Sequence, residues 1–173
     1  MSPPAFLLLC FLLISAAVAG PIAPRYDYTY HYLNLTFLEA KYSGHPNGDP
    51  NTGFFLTLYD ENTGTKANCN TTFASSPSGW TSCNDTSFEF MFGDCVDSGG
   101  NYTSIADFTI CAMHHFDDEA YGEWGLSIYG NVHLNSSQLD LKTCGEEGVK
   151  NATKACECAL LADGIKLPIV GVE

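Results

Sequence analysis

Three stretches of this sequence gather residue types that do chemistry. His114-His115-Phe116-Asp117-Asp118-Glu119 places two imidazoles and three carboxylates within six positions, which are the ligand types of a metal site. On a strand, however, His114 and His115 point to opposite faces and cannot share an ion, so a solvated acidic loop is the plainer expectation. Asp97-Ser98-Gly99-Gly100 has the makings of a serine nucleophile, which would need a histidine base and an orienting carboxylate. Val96 and Asn101 flank it where Gly and Pro would be expected, and no Ala-His-Cys sequence lies upstream. A glycine-rich turn is therefore the expectation for residues 97–100. A glycosidase needs two carboxylates roughly 5 to 9 Å apart, and with 20 Asp+Glu in the chain the sequence nominates no pair. Tyr26, Tyr28, Tyr30 and Tyr32 could stack on a sugar or a flat ligand, although aromatic cross-strand packing explains them as well.

The cysteines are the third stretch and the most informative. Of the eight, Cys10 falls in an apolar leader, which leaves Cys69, Cys83, Cys95, Cys111, Cys144, Cys156 and Cys158. No Cys-x-x-Cys pair exists, so the spacing is not that of a zinc site. Pairing Cys69 with Cys83 and Cys144 with Cys156 would close two short loops, and each staple would contribute roughly 3 kcal/mol by restricting the unfolded chain. Cys95 with Cys111 is the natural third pair. Cys158 is then left as a free thiol or as a link between two chains.

Compartment follows from the N-terminus. Ala5 to Val18 is almost continuously apolar, and at about 14 residues it is shorter than the roughly 20 needed to span a bilayer. Ala17-Val18-Ala19 fits the small-x-small rule for signal-peptidase cleavage before Gly20, although no Lys or Arg precedes the apolar run. The expectation is a signal peptide over residues 1–19 and one secreted domain over 20–173. Six Asn-x-Ser/Thr sequons, at Asn34, Asn70, Asn84, Asn101, Asn135 and Asn151, exceed the roughly two expected by chance and fit an N-glycosylated product. A formal net charge of −13 opposes binding to nucleic acid or to anionic membranes.

These groups must be positioned by strands. Tyr26 to Tyr32 alternates strictly, and the phase then switches at Leu33, Leu35 and Phe37, which predicts a bulge. Phe54–Tyr59, Phe88–Phe92 with three Phe on one face, Tyr102–Ala112, Leu126–Leu134 and Ile165–Val172 read as further strands separated by Gly/Asn/Pro turns. Pro168 favours an edge position for the last of them. Only Glu147–Ala162 could carry a helix, and the Cys156/Cys158 spacing suits a strand equally. The fold expected is all-β, a single antiparallel barrel or sandwich stapled by disulfides.

Trp80-Thr81-Ser82-Cys83 running into Phe88-x-Phe90-x-Phe92, with Phe54–Tyr59, Thr63-Gly64-Thr65 and Cys69 upstream and Cys144-Gly145, Cys156 and Ile165–Val170 downstream, resembles the Alternaria major allergen family of small secreted fungal β-barrel proteins. The resemblance spans roughly Tyr30 to Val170. It implies the bridges Cys69–Cys83 and Cys144–Cys156, no catalytic activity and no cofactor. It also implies an allergen, elicitor or effector role, with host extracellular proteins or a small flavonoid-like aromatic ligand as partners. The family's interchain cysteine near the mature N-terminus has no counterpart between Gly20 and Tyr32, so dimerisation does not follow. The alternative is a small carbohydrate-active enzyme or lectin on a β-scaffold.

Overall fold

The computed structural model describes residues 30–43, 52–74, 79–95, 102–119, 122–142 and 155–173. Among the described residues eleven strands occur: β1 (Tyr32–Tyr42), β2 (Thr52–Asp60), β3 (Thr65–Phe73), β4 (Thr81–Ser82), β5 (Phe88–Phe92), β6 (Tyr102–Ser104), β7 (Asp107–Asp118), β8 (Glu123–Leu134), β9 (Leu139–Leu141), β10 (Cys156–Leu160) and β11 (Ile165–Val172). Every pairing is antiparallel, and the main path runs β3-β2-β1-β11-β8-β7-β5-β4. The architecture is the all-β, disulfide-stapled one expected, and it is a nearly closed barrel rather than a sandwich.

The two ends of that path meet without a full ladder. Cys69 on β3 bonds Cys83, which follows β4, with S–S 1.94 Å. Beside it the Asn84 amide donates to the Asn68 carbonyl (2.9 Å), and the Asn68 amide donates to Asn84 Oδ1 (2.7 Å). The staple and this short hydrogen-bonded seam satisfy edge groups that an open sheet would leave bare.

β1 changes partner half-way. Tyr32–Leu35 pairs with β11 and Glu39–Tyr42 with β10. The register against β2 slips between Leu35 and Phe37, the bulge that the phase switch predicts. Within the described residues the strand runs Tyr32–Tyr42. Tyr30 and His31 precede it, and Tyr26 and Tyr28 lie outside the described residues.

β11 hands over in the same way, to β1 through Pro168 and to β8 from Ile169. The expected edge strand is thus an interior one. Pro168 is accommodated because it sits at the handover, before the β8 ladder begins, so its missing N–H breaks no bond there. Cys156–Leu160 is strand, not helix, with Cys156 and Cys158 both buried on its inward phase; residues 147–154 lie outside the described residues. The chain from His114 to Asp118 continues β7, which corrects the solvated-loop expectation. The inward phase that buries Phe108, Ile110 and Ala112 also carries His114 inward.

The core is aromatic at one end. Phe54 lies 4.6 Å from Phe92, 5.3 Å from Phe108 and 5.9 Å from Phe73 between ring centroids, and Tyr102 closes the group at 5.2 Å from Phe73. Offset and edge-on contacts of this kind add to the area they bury. Phe90 and Phe88 carry the same β5 face toward the other end, where Phe88 stacks on His114. On the opposite face of β5 and β7, Met91, Cys111 and Met113 are also buried, a second apolar layer outside the barrel. Cys111 is bridged there to Cys95 with S–S 2.01 Å.

Candidate functional site

Two places combine side chains in ways that bear on function. The first is a polar clasp inside the barrel. Asp60 ends β2 on its inward phase and is fully buried, as is His114 on β7. His114 Nδ1 and Asp60 Oδ2 are 2.7 Å apart, which joins two strands that are not neighbours in the sheet. Asp60 also builds the following turn. Its Oδ1 accepts from the Asn62 amide (2.8 Å) and Asn62 Nδ2 (2.6 Å), its Oδ2 accepts from the Thr63 hydroxyl (3.2 Å), and its carbonyl accepts from the amide of Gly64 (2.8 Å). Gly64 takes φ +71° to complete that turn, a conformation costly for a residue with a Cβ. Burial alone would raise the Asp60 carboxyl, but the hydrogen bonds from His114 and Asn62 outweigh it and hold the pKa below the ordinary carboxylate value.

Thr65 Oγ1 stands 3.5 Å from His114 Nε2, so hydroxyl, imidazole and carboxylate follow in the order of an acyl-transfer triad. The details point to structure. The Thr65 hydroxyl makes its short contact with Thr63 Oγ1, at 2.6 Å. The imidazole is sandwiched between Phe88 (3.9 Å, 12°) and Phe116 (5.2 Å, 26°). A base locked between two rings, with a hydroxyl at the limit of hydrogen bonding, is a clasp.

The second place is a cleft of about 430 Å³ on the outer face, lined by Trp80, Cys95, Tyr129, Val170, Gly171 and Glu173. β8 supplies Tyr129, β11 supplies Val170 and Gly171, and reciprocal backbone bonds between Ser127 and Glu173 (2.7 and 2.9 Å) extend the ladder so that Glu173 reaches the rim. A Cβ at Gly171 would lie 3.6 Å from the Tyr129 ring, so the bare glycine forms part of the wall beneath that ring. Trp80 and Tyr129 are 6.2 Å apart and inclined at 59°. Two carbon stacking distances need about 7 Å, so the gap admits no ring, and the aromatic surface open to one is the outer faces of the pair. Tyr129 donates to Glu173 Oε2 at 3.0 Å. Partial burial first, and then the carboxylate it donates to, raise the Tyr129 pKa above the usual phenol value. Trp80 is 39 % and Val170 43 % exposed, so the cleft offers open apolar surface. Cys95 sits at its edge through the Cys95–Cys111 bridge.

Compared with known protein families, with curated proteins and with solved structures, the chain finds no match. Nothing in those comparisons links it to the Alternaria major allergen family.

The other residues singled out by sequence are dispersed. His115 Nδ1 meets the Ser127 hydroxyl at 2.7 Å, Asp117 Oδ1 accepts from the Gly125 amide at 2.8 Å, and Asp118 accepts from the Tyr30 hydroxyl at 3.2 Å. Among the described residues no three His, Cys, Asp or Glu converge to hold a metal ion. Cys144, Asn101, Asn151 and residues 97–100 lie outside the described residues. Of the sequons within them, Asn34 is half-buried on β1, Asn70 and Asn84 are exposed, and Asn135 opens a turn in which its Oδ1 accepts from the Ser137 amide and hydroxyl (2.9 and 2.7 Å). Cys158 is fully buried, with its Sγ–H donating to the Ile105 carbonyl at 3.0 Å, and burial pushes its thiol pKa up to about 12. A folded chain cannot present that sulfur to a partner. Among the described residues no helix is long and apolar enough to cross a membrane.

Sequence reading missed the Asp60–His114 clasp and the cleft. The clasp had a signal: Asp60 continues the inward phase of Phe54, Leu56 and Leu58 and opens an Asp-x-Asn-Thr-Gly turn. The cleft had none, because Trp80, Tyr129 and Glu173 are far apart in sequence.

Proposed function

We propose that this chain is a secreted, non-enzymatic fungal binding protein that acts at host surfaces as an elicitor or effector, and that the Trp80–Tyr129 cleft takes a small flat aromatic ligand of flavonoid type. The observation that carries the reading is the cleft itself. At about 430 Å³ it falls within the size range of small-molecule sites, and two aromatic faces with one carboxylate are the usual apolar wall and orienting polar group. The Cys69–Cys83 and Cys95–Cys111 bridges are consistent with an oxidising compartment, and the apolar leader supports entry into the secretory route. The resemblance to the Alternaria allergen family supports the elicitor role.

Calorimetric titration with a planar flavonol tests the cleft. Micromolar binding that weakens at least about tenfold in Trp80→Ala, with thermal stability unchanged, is the expected result. Binding unaffected by Trp80→Ala would overturn the assignment. Leaf infiltration with purified protein tests the elicitor role, which fails if neither necrosis nor an oxidative burst follows.

A second reading, a lectin, is favoured by the Glu173 carboxylate at 3.0 Å from the Tyr129 hydroxyl, since an aromatic face beside an acceptor suits a sugar ring. Binding on a glycan panel in place of flavonol binding would select it.

A further inference from the structure

The outer face of β1, β2 and β3 carries Phe37 at 48 % and Phe55 at 50 % exposure. Their surroundings are unusual in one respect. Phe55 is paired directly with Asn70 on β3, and Tyr59 directly with Asn34 on β1. Asn34-Leu35-Thr36 and Asn70-Thr71-Thr72 are both N-glycosylation sequons. Both asparagines occupy the outward phase, because Leu33, Leu35 and Cys69 beside them are buried. Directly opposed residues on one sheet face hold their Cβ atoms about 4.5–5.5 Å apart. A sugar on Asn70 Nδ2 therefore starts beside the Phe55 ring, and one on Asn34 beside Tyr59.

We infer that N-linked glycans at Asn70 and Asn34 are the cover of this face, with the first N-acetylglucosamine of each laid on the aromatic side chain opposite it. The apolar C–H face of a pyranose ring matches a phenyl face, and covering it removes apolar surface from water. The modification is an oligosaccharyl transfer from a polyprenyl diphosphate donor. The bond from Asn Nδ2 to sugar C1 forms, the C1–O bond to the diphosphate breaks, and the polyprenyl diphosphate leaves together with the amide proton. Of the neighbouring charges, Lys41 is held by Glu39 at 3.1 Å and Glu157 at 3.7 Å, and Lys166, paired with Asn34 from the β11 side, lies over the Tyr32 ring at 3.7 Å. A bulky, solvated glycan also keeps two exposed phenylalanines from becoming a self-association patch.

The inference rests on the secretory part of the proposed function, and the experiment separates the two. The full chain with its own leader is expressed in a eukaryotic secretory host, its glycopeptides are mapped by mass spectrometry, and thermal unfolding is compared in a cycle of Asn70→Gln and Phe55→Ser. Thr72→Ala, which removes the sequon but keeps the asparagine, serves as an independent variant. Asn70 should be occupied, and loss of its glycan should lower Tm by about 2–4 °C with Phe55 present and by under about 1 °C with Phe55→Ser. Equal shifts in both backgrounds overturn the inference, as does glycosylated protein that sediments as a dimer dissociated by Phe55→Ser. An unmodified Asn70 alongside a modified Asn84 or Asn135 overturns it and leaves secretion standing. A chain with no modified sequon removes both.

Discussion

Replacing Asp60 with alanine should be the most damaging single polar substitution in the barrel. The carboxylate accepts four hydrogen bonds, from His114, from two donors of Asn62 and from Thr63. Asn62 and Thr63 reach solvent and can turn to water when Asp60 is lost. His114 cannot, because it is 2 % exposed and stacked on Phe88 at 3.9 Å. The cost is therefore that of breaking a buried charge-assisted pair and stranding one partner, about 3–5 kcal/mol. For a chain of this size that corresponds to a Tm lower by about 6–20 °C. Asp60→Asn keeps the shape and one acceptor oxygen and should cost less.

The pH dependence has a definite sign. The folded-state pKa of Asp60 lies below its ordinary value, so the unfolded chain binds the proton more readily. Its contribution is fully present above the unfolded-state pKa of about 3.9 and is lost as pH falls through the lower folded-state value. Urea unfolding followed by fluorescence between neutral pH and about pH 2 reads both effects. Wild type should lose stability below about pH 4 more steeply than Asp60→Asn. An Asp60→Ala protein within about 1 kcal/mol of wild type, or an Asp60→Asn protein with an unchanged acid limb, refutes the clasp.

Two further outcomes follow from packing. Cys158, with a thiol pKa of about 12, should resist a thiol-specific reagent in the native protein at neutral pH and react at once in denaturant, because only the thiolate is nucleophilic; rapid native labelling would contradict its burial. A Cβ on Gly130 would lie 2.8 Å from the Leu167 carbonyl, so Gly130→Ala should force β8 and β11 apart and cost about 1–3 kcal/mol in denaturant unfolding, against no measurable cost if the strands can slide.

The strands were legible in the sequence where large apolar residues recur at every second position. Phe88-x-Phe90-x-Phe92 and the phase switch around Leu33–Phe37 both appear as strand and bulge. β3 was not legible, because three of its inward residues, Ala67, Cys69 and Thr71, are too small or polar to stand out as a hydrophobic alternation and only Phe73 is large. The run expected over Tyr102–Ala112 breaks at a turn, Ile105-Ala106, into β6 and β7, and β7 goes on past Ala112 because its inward phase continues through a histidine that looks polar in isolation and is buried with Asp60, 54 positions away. Pro168 was misread for a related reason: sequence reveals a missing donor but not that β11 exchanges neighbours at that residue. The cleft depended on β8 lying against β11, and no local pattern encodes that adjacency.

The split pairing of β1 bears on the order in which the barrel can be made. β1 is the first of the described strands to leave the ribosome, yet beyond the Leu35/Phe37 slip its neighbour is β10 and before it β11. Until those last two strands have been synthesised, one whole side of β1 has no partner, and closure has to await contacts of very high sequence separation, which are slow to form. The two cystines among the described residues are local by comparison, with separations of 14 and 16 residues. Oxidation of Cys69–Cys83 and Cys95–Cys111 can therefore precede closure. The nascent chain would then wait as two stapled hairpin regions with an unpaired first strand, the stage at which it most needs a chaperone.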